Sequence, residues 1–288
     1  MRVTVYIVNA FTANGDGGNP AGVVLDASNL DESQMQIVAS RIAHSETAFV
    51  SPSILATRHV RFFTPTNQLD LCGHATIATW LLLATHKIVP FGQHTQETIA
   101  GVLRLQVAED GLVFMEQTKA TFYETIPPRE LIPLLDIDIT DLDTTLPLQM
   151  VSTGIKDLFV PVKNKTALAK IRPNLPAIVN FSRPRKMSSI HAFTLLENGE
   201  SLAAARNFAP IDGISEEAAT GTSSGALLCY LRRYHRLAEH QLYRIEQGES
   251  MGRLSYVYGR FDDSRVWIGG NAKVIGRQIV ELQLFNVG

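Results

Sequence analysis

The chain has 288 residues, 45% of them hydrophobic and 19% charged, which suffices for one large or two ordinary domains and excludes intrinsic disorder. Its formal net charge is −2, so no basic surplus argues for binding to nucleic acid or to an anionic membrane surface. Two cysteines, Cys72 and Cys229, are too few for a disulfide framework and point to a reducing compartment.

In chain order, residues 2–9 read as a strand and lack the basic start, long apolar run and cleavage site of a signal peptide. Residues 31–42 carry Met35, Ile37, Val38 and Ile42 near helical spacing behind an acidic start, and predict a helix. Residues 60–63 are a short strand. Residues 75–86 predict a helix apolar nearly all round, hence buried. Its apolar core is broken by Thr76 and Thr79 and is shorter than the ~20 residues that span a bilayer, so a soluble cytoplasmic protein is expected. Strands follow at 102–107, 112–117, 158–162 and 191–196. A second apolar helix is predicted at 223–234, with strands at 254–259 and 265–269 closing the series. This order is not alternating βαβ, so a doubly wound sheet is not expected. The predicted class is α+β, each half a curved sheet with one helix inside it.

The chain also repeats itself. Arg61-Phe62-Phe63-Thr64-Pro65 is echoed by Arg206-Asn207-Phe208-Ala209-Pro210. Gly73-His74-Ala75-Thr76 precedes the first apolar helix as Gly221-Thr222-Ser223-Ser224 precedes the second. Gln96 with Gly101-Val102-Leu103 matches Gln247 with Gly252-Arg253-Leu254. The three matches keep their order at a nearly constant offset of about 145 to 151 residues. Two homologous halves are therefore expected, residues 1–140 and 141–288.

Several residues invite a chemical reading beside a plain structural one. Gly73 and Gly221 each open a buried helix, where free N–H groups make an anion site, or where glycine only packs the helix on the sheet. If both termini faced one cleft, they would hold a carboxylate. His74 is a ligand-facing group or a core histidine. Glu46, just ahead of an apolar run, is either a solvated carboxylate or an acid/base whose pKa burial would raise. Glu216 and Glu217 either complement a helix terminus or read a substrate ammonium. Cys72 is a nucleophile with a lowered pKa or a small buried hydrophobe. Gly221-Thr222-Ser223-Ser224-Gly225 fits G-x-S-x-G but lacks the leading strand of a nucleophile elbow. The glycines at 15–18 lack a phosphate-loop frame. His235 and His240 lack the spacing of a metal site, and no metal is expected.

As a set, Gly18-Asn19-Pro20-Ala21-Gly22, His44-Ser45-Glu46-Thr47, Arg61-Phe62-Phe63-Thr64-Pro65, Asp70-Leu71-Cys72-Gly73-His74-Ala75-Thr76 and Ala219-Thr220-Gly221 resemble the PhzF-like family. That family holds phenazine-biosynthesis isomerases and predicted epimerases, relatives of diaminopimelate epimerase and proline racemase, and the likeness covers nearly the whole chain. It implies the diaminopimelate epimerase-like fold: two pseudo-symmetric domains, each a β-barrel around a central helix. It further implies cofactor-free proton transfer on a small carboxylic acid, in a homodimer, with no nucleic-acid or membrane partner. The family's catalytic Glu matches Glu46, and its substrate-binding positions match Gly73, His74, Glu217, Gly221 and Thr222. Two of these depart from the family pattern: Glu217 stands for its Asp and Thr222 for its Ser. Cys72 has no partner thiol in the second motif, as two-base racemisation would need. Alternatives are a non-catalytic small-acid binder on the same fold, or a one-thiol epimerase using Cys72.

Overall fold

A computed structural model describes residues 1–282 apart from Asn198 and Arg236. They fall into two compact units: residues 1–115 with the segment from 269 onward, and residues 116–268. The expected division near residue 140 is thus displaced to 115/116. The carboxy-terminal strand also returns to the first unit instead of staying with the second half.

In the first unit the chain forms β1 (Arg2–Ala10), β2 (Asn19–Val24), α1 (Glu32–Ile42), β3 (Glu46–Ser51), β4 (Arg58–Phe63), β5 (Gln68–Leu69), α2 (Gly73–Thr85), β6 (Gly92–Thr98), β7 (Gly101–Val107) and β8 (Val113–Glu116, whose last residue already counts with the second unit). Strand Ala272–Glu281 pairs antiparallel with β1. From that strand the sheet runs β1, β2, β3, β4, β6, β7, β8, with successive senses antiparallel, antiparallel, parallel, antiparallel, parallel, antiparallel, antiparallel. Asp31 starts α1 with a capping box, its carboxylate accepting from Gln34 N and its own N–H donating to the Gln34 side chain. Helix α2 touches β1, β2, β3 and β7, so the sheet curls round it. Its residues Ala75, Ala78, Trp80, Leu82 and Leu83 are all fully buried, as a helix apolar on every side requires.

The second unit adds β9 (Thr121–Thr125), α3 (Pro128–Leu135), β10 (Gln149–Ser152), β11 (Lys156–Pro161), α4 (Lys165–Lys170), α5 (Leu175–Arg185), β12 (Ser189–Leu195), β13 (Ala203–Ala209), β14 (Ile214–Glu217), α6 (Gly221–His235), β15 (Tyr243–Gln247), β16 (Ser255–Asp262) and β17 (Arg265–Gly270, ending past the unit boundary). Its sheet runs β9, β10, β11, β12, β13, β15, β16, with senses antiparallel, antiparallel, parallel, antiparallel, parallel, antiparallel. Strand β17 follows β16 through Asp263 and Ser264, both at positive φ (50° and 64°), the conformation of a two-residue hairpin turn. This order of senses is that of the first unit, step for step. Helix α6 packs on β10, β11 and β16, with Leu227, Leu228, Tyr230 and Leu231 fully buried.

The repeated sequence motifs are the framework of this symmetry. Arg61 on β4 lies over the Phe63 ring at 5.2 Å, and Arg206 on β13 over Phe208 at 4.9 Å. Each guanidinium then reaches the short side strand: Arg61 to Gln68 at 2.6 Å, Arg206 to Glu216 at 2.8 Å through two nitrogens. The repeated glutamines are both buried. Gln96 accepts from Trp80 Nε1 at 2.6 Å within α2, and Gln247 accepts from Thr220 N at 3.2 Å just before α6.

Candidate active site

Helix α1 ends at Ala43 in the left-handed conformation (φ 55°), which turns the chain so that Glu46 opens β3 opposite Ala21 of β2. Cys72 is the residue before α2. Its backbone is extended (φ −140°), as at a helix start, but its thiol makes no capping hydrogen bond, so first-turn N–H groups remain available to an acceptor. The Cys72 carbonyl instead accepts from Thr76, through N at 3.1 Å and Oγ1 at 2.7 Å. His74, in that first turn, is therefore held rigidly at the mouth of a buried helix.

His74 stands between two reactive groups. Its Nε2 is 3.0 Å from Glu46 Oε2 and its Nδ1 is 3.4 Å from Cys72 Sγ. Only 6% of the His74 side chain and 12% of the Glu46 side chain are exposed. Neither Glu46 Oε2 nor His74 Nε2 makes a well-aligned hydrogen bond. At 3.0 Å the two atoms face each other as an ion pair, which offsets the cost of burying either charge alone.

The charges follow from this packing. Burial pushes the Glu46 carboxyl up, but the charge and close approach of His74, with a hydrogen bond from Ser45, overcome it, holding Glu46 below the usual carboxylate range. This reverses the raised pKa expected from sequence. Burial depresses His74, yet the hydrogen-bond contact with Cys72 Sγ and the charge of Glu46 outweigh it and hold the imidazole well above its ordinary value. Cys72 is raised, mainly by burial, and remains a thiol, opposite to the lowering expected of a helix terminus.

The ligand atoms of Glu46, Cys72 and His74 lie within 4.8 Å of one another, the group among the described residues closest to a metal site. The two nitrogens of His74 face different partners, Nε2 the Glu46 carboxylate and Nδ1 the Cys72 sulfur.

The second unit gathers the other predicted residues. Glu217 ends β14; its carboxylate accepts from Thr220 Oγ1 at 3.1 Å and its carbonyl from Gln247 Nε2 at 2.7 Å. Gly221 and Thr222 open α6, and the Thr222 carbonyl accepts from Thr153 Oγ1 at 3.2 Å. Glu216, a candidate ammonium reader by sequence, is bound by Arg206 at 2.8 Å and Ser250 at 2.6 Å. Sequence reasoning missed Asp157, fully buried on β11 between Ser189 and Ser223. Its signal was an acid inside the apolar run that continues Leu158-Phe159-Val160.

The family described as phenazine biosynthesis-like protein (PhzC-PhzF) matches residues 8–277. The uncharacterized isomerase YfhB of Bacillus subtilis is 34% identical over 92% of this chain and 91% of its own. The trans-2,3-dihydro-3-hydroxyanthranilate isomerase of Pseudomonas chlororaphis is 31% identical over 96% of this chain and 98% of its own. The crystal structure of a PhzF-family protein from Bacillus anthracis superposes with a TM-score of 0.89 at 31% identity, covering 98% of this chain and 100% of that one. A probable proline racemase from Agrobacterium radiobacter shares the fold alone, at TM-score 0.66 and 13% identity over 99% of this chain and 94% of that one. The chain belongs to the phenazine biosynthesis-like PhzC-PhzF family, and it is an isomerase on the diaminopimelate epimerase-like fold.

Proposed function

We propose that this isomerase moves a proton between carbons of a small carboxylic acid, an amino acid or a dihydro-hydroxyanthranilate-like compound, with Glu46 as acid and base and without a cofactor. The observation that carries this reading is the Glu46–His74 contact: 3.0 Å, nearly buried, and without an aligned hydrogen bond at either atom. The imidazolium keeps Glu46 ionised, and the low exposure removes the water that would weaken a carboxylate base. A substrate C–H bond breaks, its electron pair moves into the adjacent unsaturated system, and the proton goes to Glu46. Glu46 then returns it to a second carbon, so the enzyme ends as it began. The helix openings, Gly73–His74 and Gly221–Thr222, are assigned to substrate carboxylate binding, each through backbone N–H groups. Glu217 is assigned to an amino group of the substrate.

The two relatives named for trans-2,3-dihydro-3-hydroxyanthranilate isomerase activity, 31% and 29% identical, support the reaction class. Glu217 and Thr222 each carry one carbon more than the family's Asp and Ser, which narrows the pocket and favours a smaller acid. The test is proton exchange: a substrate incubated in deuterium oxide gains deuterium with wild type and gains none with Glu46→Gln. Incorporation that persists in the variant sinks the assignment. A second reading, a one-thiol epimerase, draws on the 3.4 Å contact of Cys72 Sγ with His74 Nδ1; in that case Cys72→Ser abolishes the exchange and Glu46→Gln does not.

A further inference from the structure

Asp157 has no accessible surface. Its Oδ2 accepts from Ser223 Oγ of α6 at 2.7 Å, and its Oδ1 lies 2.7 Å from Ser189 Oγ of β12. Ser189 Oγ is also 2.7 Å from Asn207 Oδ1 of β13, and that oxygen lies 3.2 Å from His191 Nδ1. Five side chains thus form one buried chain that joins the first turn of α6 to three neighbouring strands.

The protons of this chain can be counted. Ser189 has a single hydroxyl proton and Asn207 Oδ1 only accepts. For both 2.7 Å contacts of Ser189 to be hydrogen bonds, its proton goes to Asn207, and the contact with Asp157 takes its proton from the acid. An ionised Asp157 would leave Ser189 Oγ facing Asn207 Oδ1 with no hydrogen between them, a repulsive pair in a dry interior. Burial acts in the same direction, pushing the Asp157 carboxyl up to about 7 against the pull of Ser189 and Ser223. The other groups around it agree. His191 on β12 is driven down to about 4 by burial and stays neutral; the charge of Asp212, after β13, opposes ionisation. Strand β10 presents Val151 opposite, and α6 presents the Ser223 hydroxyl.

The symmetry of the fold shows what this group replaces. Ser189 pairs with Asp157 across β12 and β11 as Glu46 pairs with Ala21 across β3 and β2. The registers of β3 with β4 and of β12 with β13 confirm the equivalence, since Thr47 meets Phe63 as Ile190 meets Phe208. The acid of the first unit is on β3 and keeps 12% of its side chain exposed; in the second unit the acid stands on the neighbouring strand, β11, without exposure and bonded to α6.

We propose that Asp157 works as a neutral carboxylic acid that pins the opening turn of α6, Gly221 and Thr222 included, to β11, β12 and β13, and so acts as a positioning residue for carboxylate binding at that turn. The binding half of this inference rests on the function proposed above; the neutral acid and the pinning do not.

Three variants test it. Asp157→Asn puts an N–H where the neutral acid has its O–H and a carbonyl where it accepts from Ser223, so it copies the neutral acid at every pH. Asp157→Ala and Ser223→Ala cut the chain, and Ser223→Ala with Asp157→Asn suffices if Asp157→Ala does not fold. In urea unfolding, the folded-to-unfolded ratio of wild type falls against that of Asp157→Asn by about tenfold per pH unit between pH 4 and 7, because the folded pKa is raised. Parallel pH curves overturn the neutral acid. Amide hydrogen exchange over residues 221–227 quickens about tenfold or more in Ser223→Ala and stays at the wild-type rate in Asp157→Asn; equal rates in all variants overturn the pinning. With trans-2,3-dihydro-3-hydroxyanthranilate as probe, Ser223→Ala raises KM about tenfold while kcat holds, and Asp157→Asn keeps the wild-type KM. A loosened helix with an unchanged KM overturns the positioning role. A wild type that does not turn this probe over counts against the proposed substrate, and unfolding and exchange still decide the rest.

Discussion

The opening turns of α2 and α6 occupy the same place in two sheets of the same topology, yet they are built from opposite chemistry. At α2 a carboxylate, an imidazolium and a thiol lie in contact, with 12% of the Glu46 side chain exposed. At α6 the partners are serines and one acid with no exposure. The difference teaches where each energy goes. At α2 the buried groups carry opposite charges that hold each other, whereas at α6 hydroxyl and carboxyl groups tie the helix to neighbouring strands by hydrogen bonds. A scaffold that repeats its strand order carries different chemistry at the two helix openings.

The sharpest way to break that comparison is to remove the titrating group from each end. Glu46→Gln keeps the shape of the side chain and its capacity for hydrogen bonding but cannot accept a proton. Turnover is expected to fall by about 10²–10⁴, measured as kcat on an active small acid, with little change in melting temperature. The pH profile of kcat/KM follows from the same pair. Glu46 is held below its usual range and His74 well above its own, so the ion pair persists on both sides of neutrality. The profile should be level across neutral pH, with its acid limb below the ordinary carboxylate pKa; a bell centred on pH 6.5 would mean that His74 titrates freely.

The second unit answers to pH through stability rather than rate. His191 is depressed to about 4, so its neutral form stabilises the fold above pH 6.5 and that contribution disappears as pH falls from 6.5 towards 4. Asp157, raised to about 7, works with the opposite sign: its contribution is full at low pH and is lost as pH rises from 4 to 7. Each shift corresponds to roughly 3 to 4 kcal/mol at full linkage, so the two slopes nearly cancel in wild type. His191→Gln removes one of them. Its unfolding free energy in urea should then drop on going from pH 4 to 6.5, where wild type changes little; matching slopes would show that His191 titrates normally.

Packing separates the helices in the same way. Gly225 of α6 stands where α2 has the buried Ile77. A Cβ at Gly225 would lie 3.0 Å from Ile268 Cγ1 and 3.1 Å from Gln117 Cγ. The crowding costs about 1–3 kcal/mol, against up to about 1 kcal/mol gained from alanine's helix propensity, so Gly225→Ala should lower stability by about 0–2 kcal/mol, read as a lower urea midpoint with an unchanged slope.

What could be read from sequence follows this division. The repeat was visible because its residues do structural work twice: Arg61 and Arg206 each stack on the Phe two places on, and Gln96 and Gln247 each anchor a helix. The helices α1, α2 and α6 were legible from apolar spacing. Helices α3 and α5 were not, since Pro133 and Pro184 lie inside them and proline ordinarily argues against a helix. Strand Ala272–Glu281 was hidden because nearly all of its side chains are exposed, leaving no apolar alternation. At the site, the residue types of Glu46 and His74 were readable but the sign of the Glu46 shift was not, because it depends on a 3.0 Å contact between residues 28 places apart in sequence. Asp157 escaped for the same reason: its partners Ser189 and Ser223 lie far along the chain.

The smallest expected effect belongs to Cys72. Burial raises its pKa, so near neutrality it is a thiol and a poor base. The equivalent place before α6 holds Thr220, whose hydroxyl donates to Glu217 at 3.1 Å, so the fold accepts a hydroxyl at this point. Cys72→Ser keeps a small acceptor beside His74 Nδ1–H and should lower turnover by less than about tenfold, well short of the range for losing an acid/base. His74→Ala should fall between Cys72→Ser and Glu46→Gln, since it releases the charge that holds Glu46 ionised without removing the carboxylate. The order of the three kcat values is the measurement. If Cys72→Ser is inactive while Glu46→Gln still turns over, the proton travels on sulfur, and the carboxylate beside His74 serves only to hold the imidazolium in place.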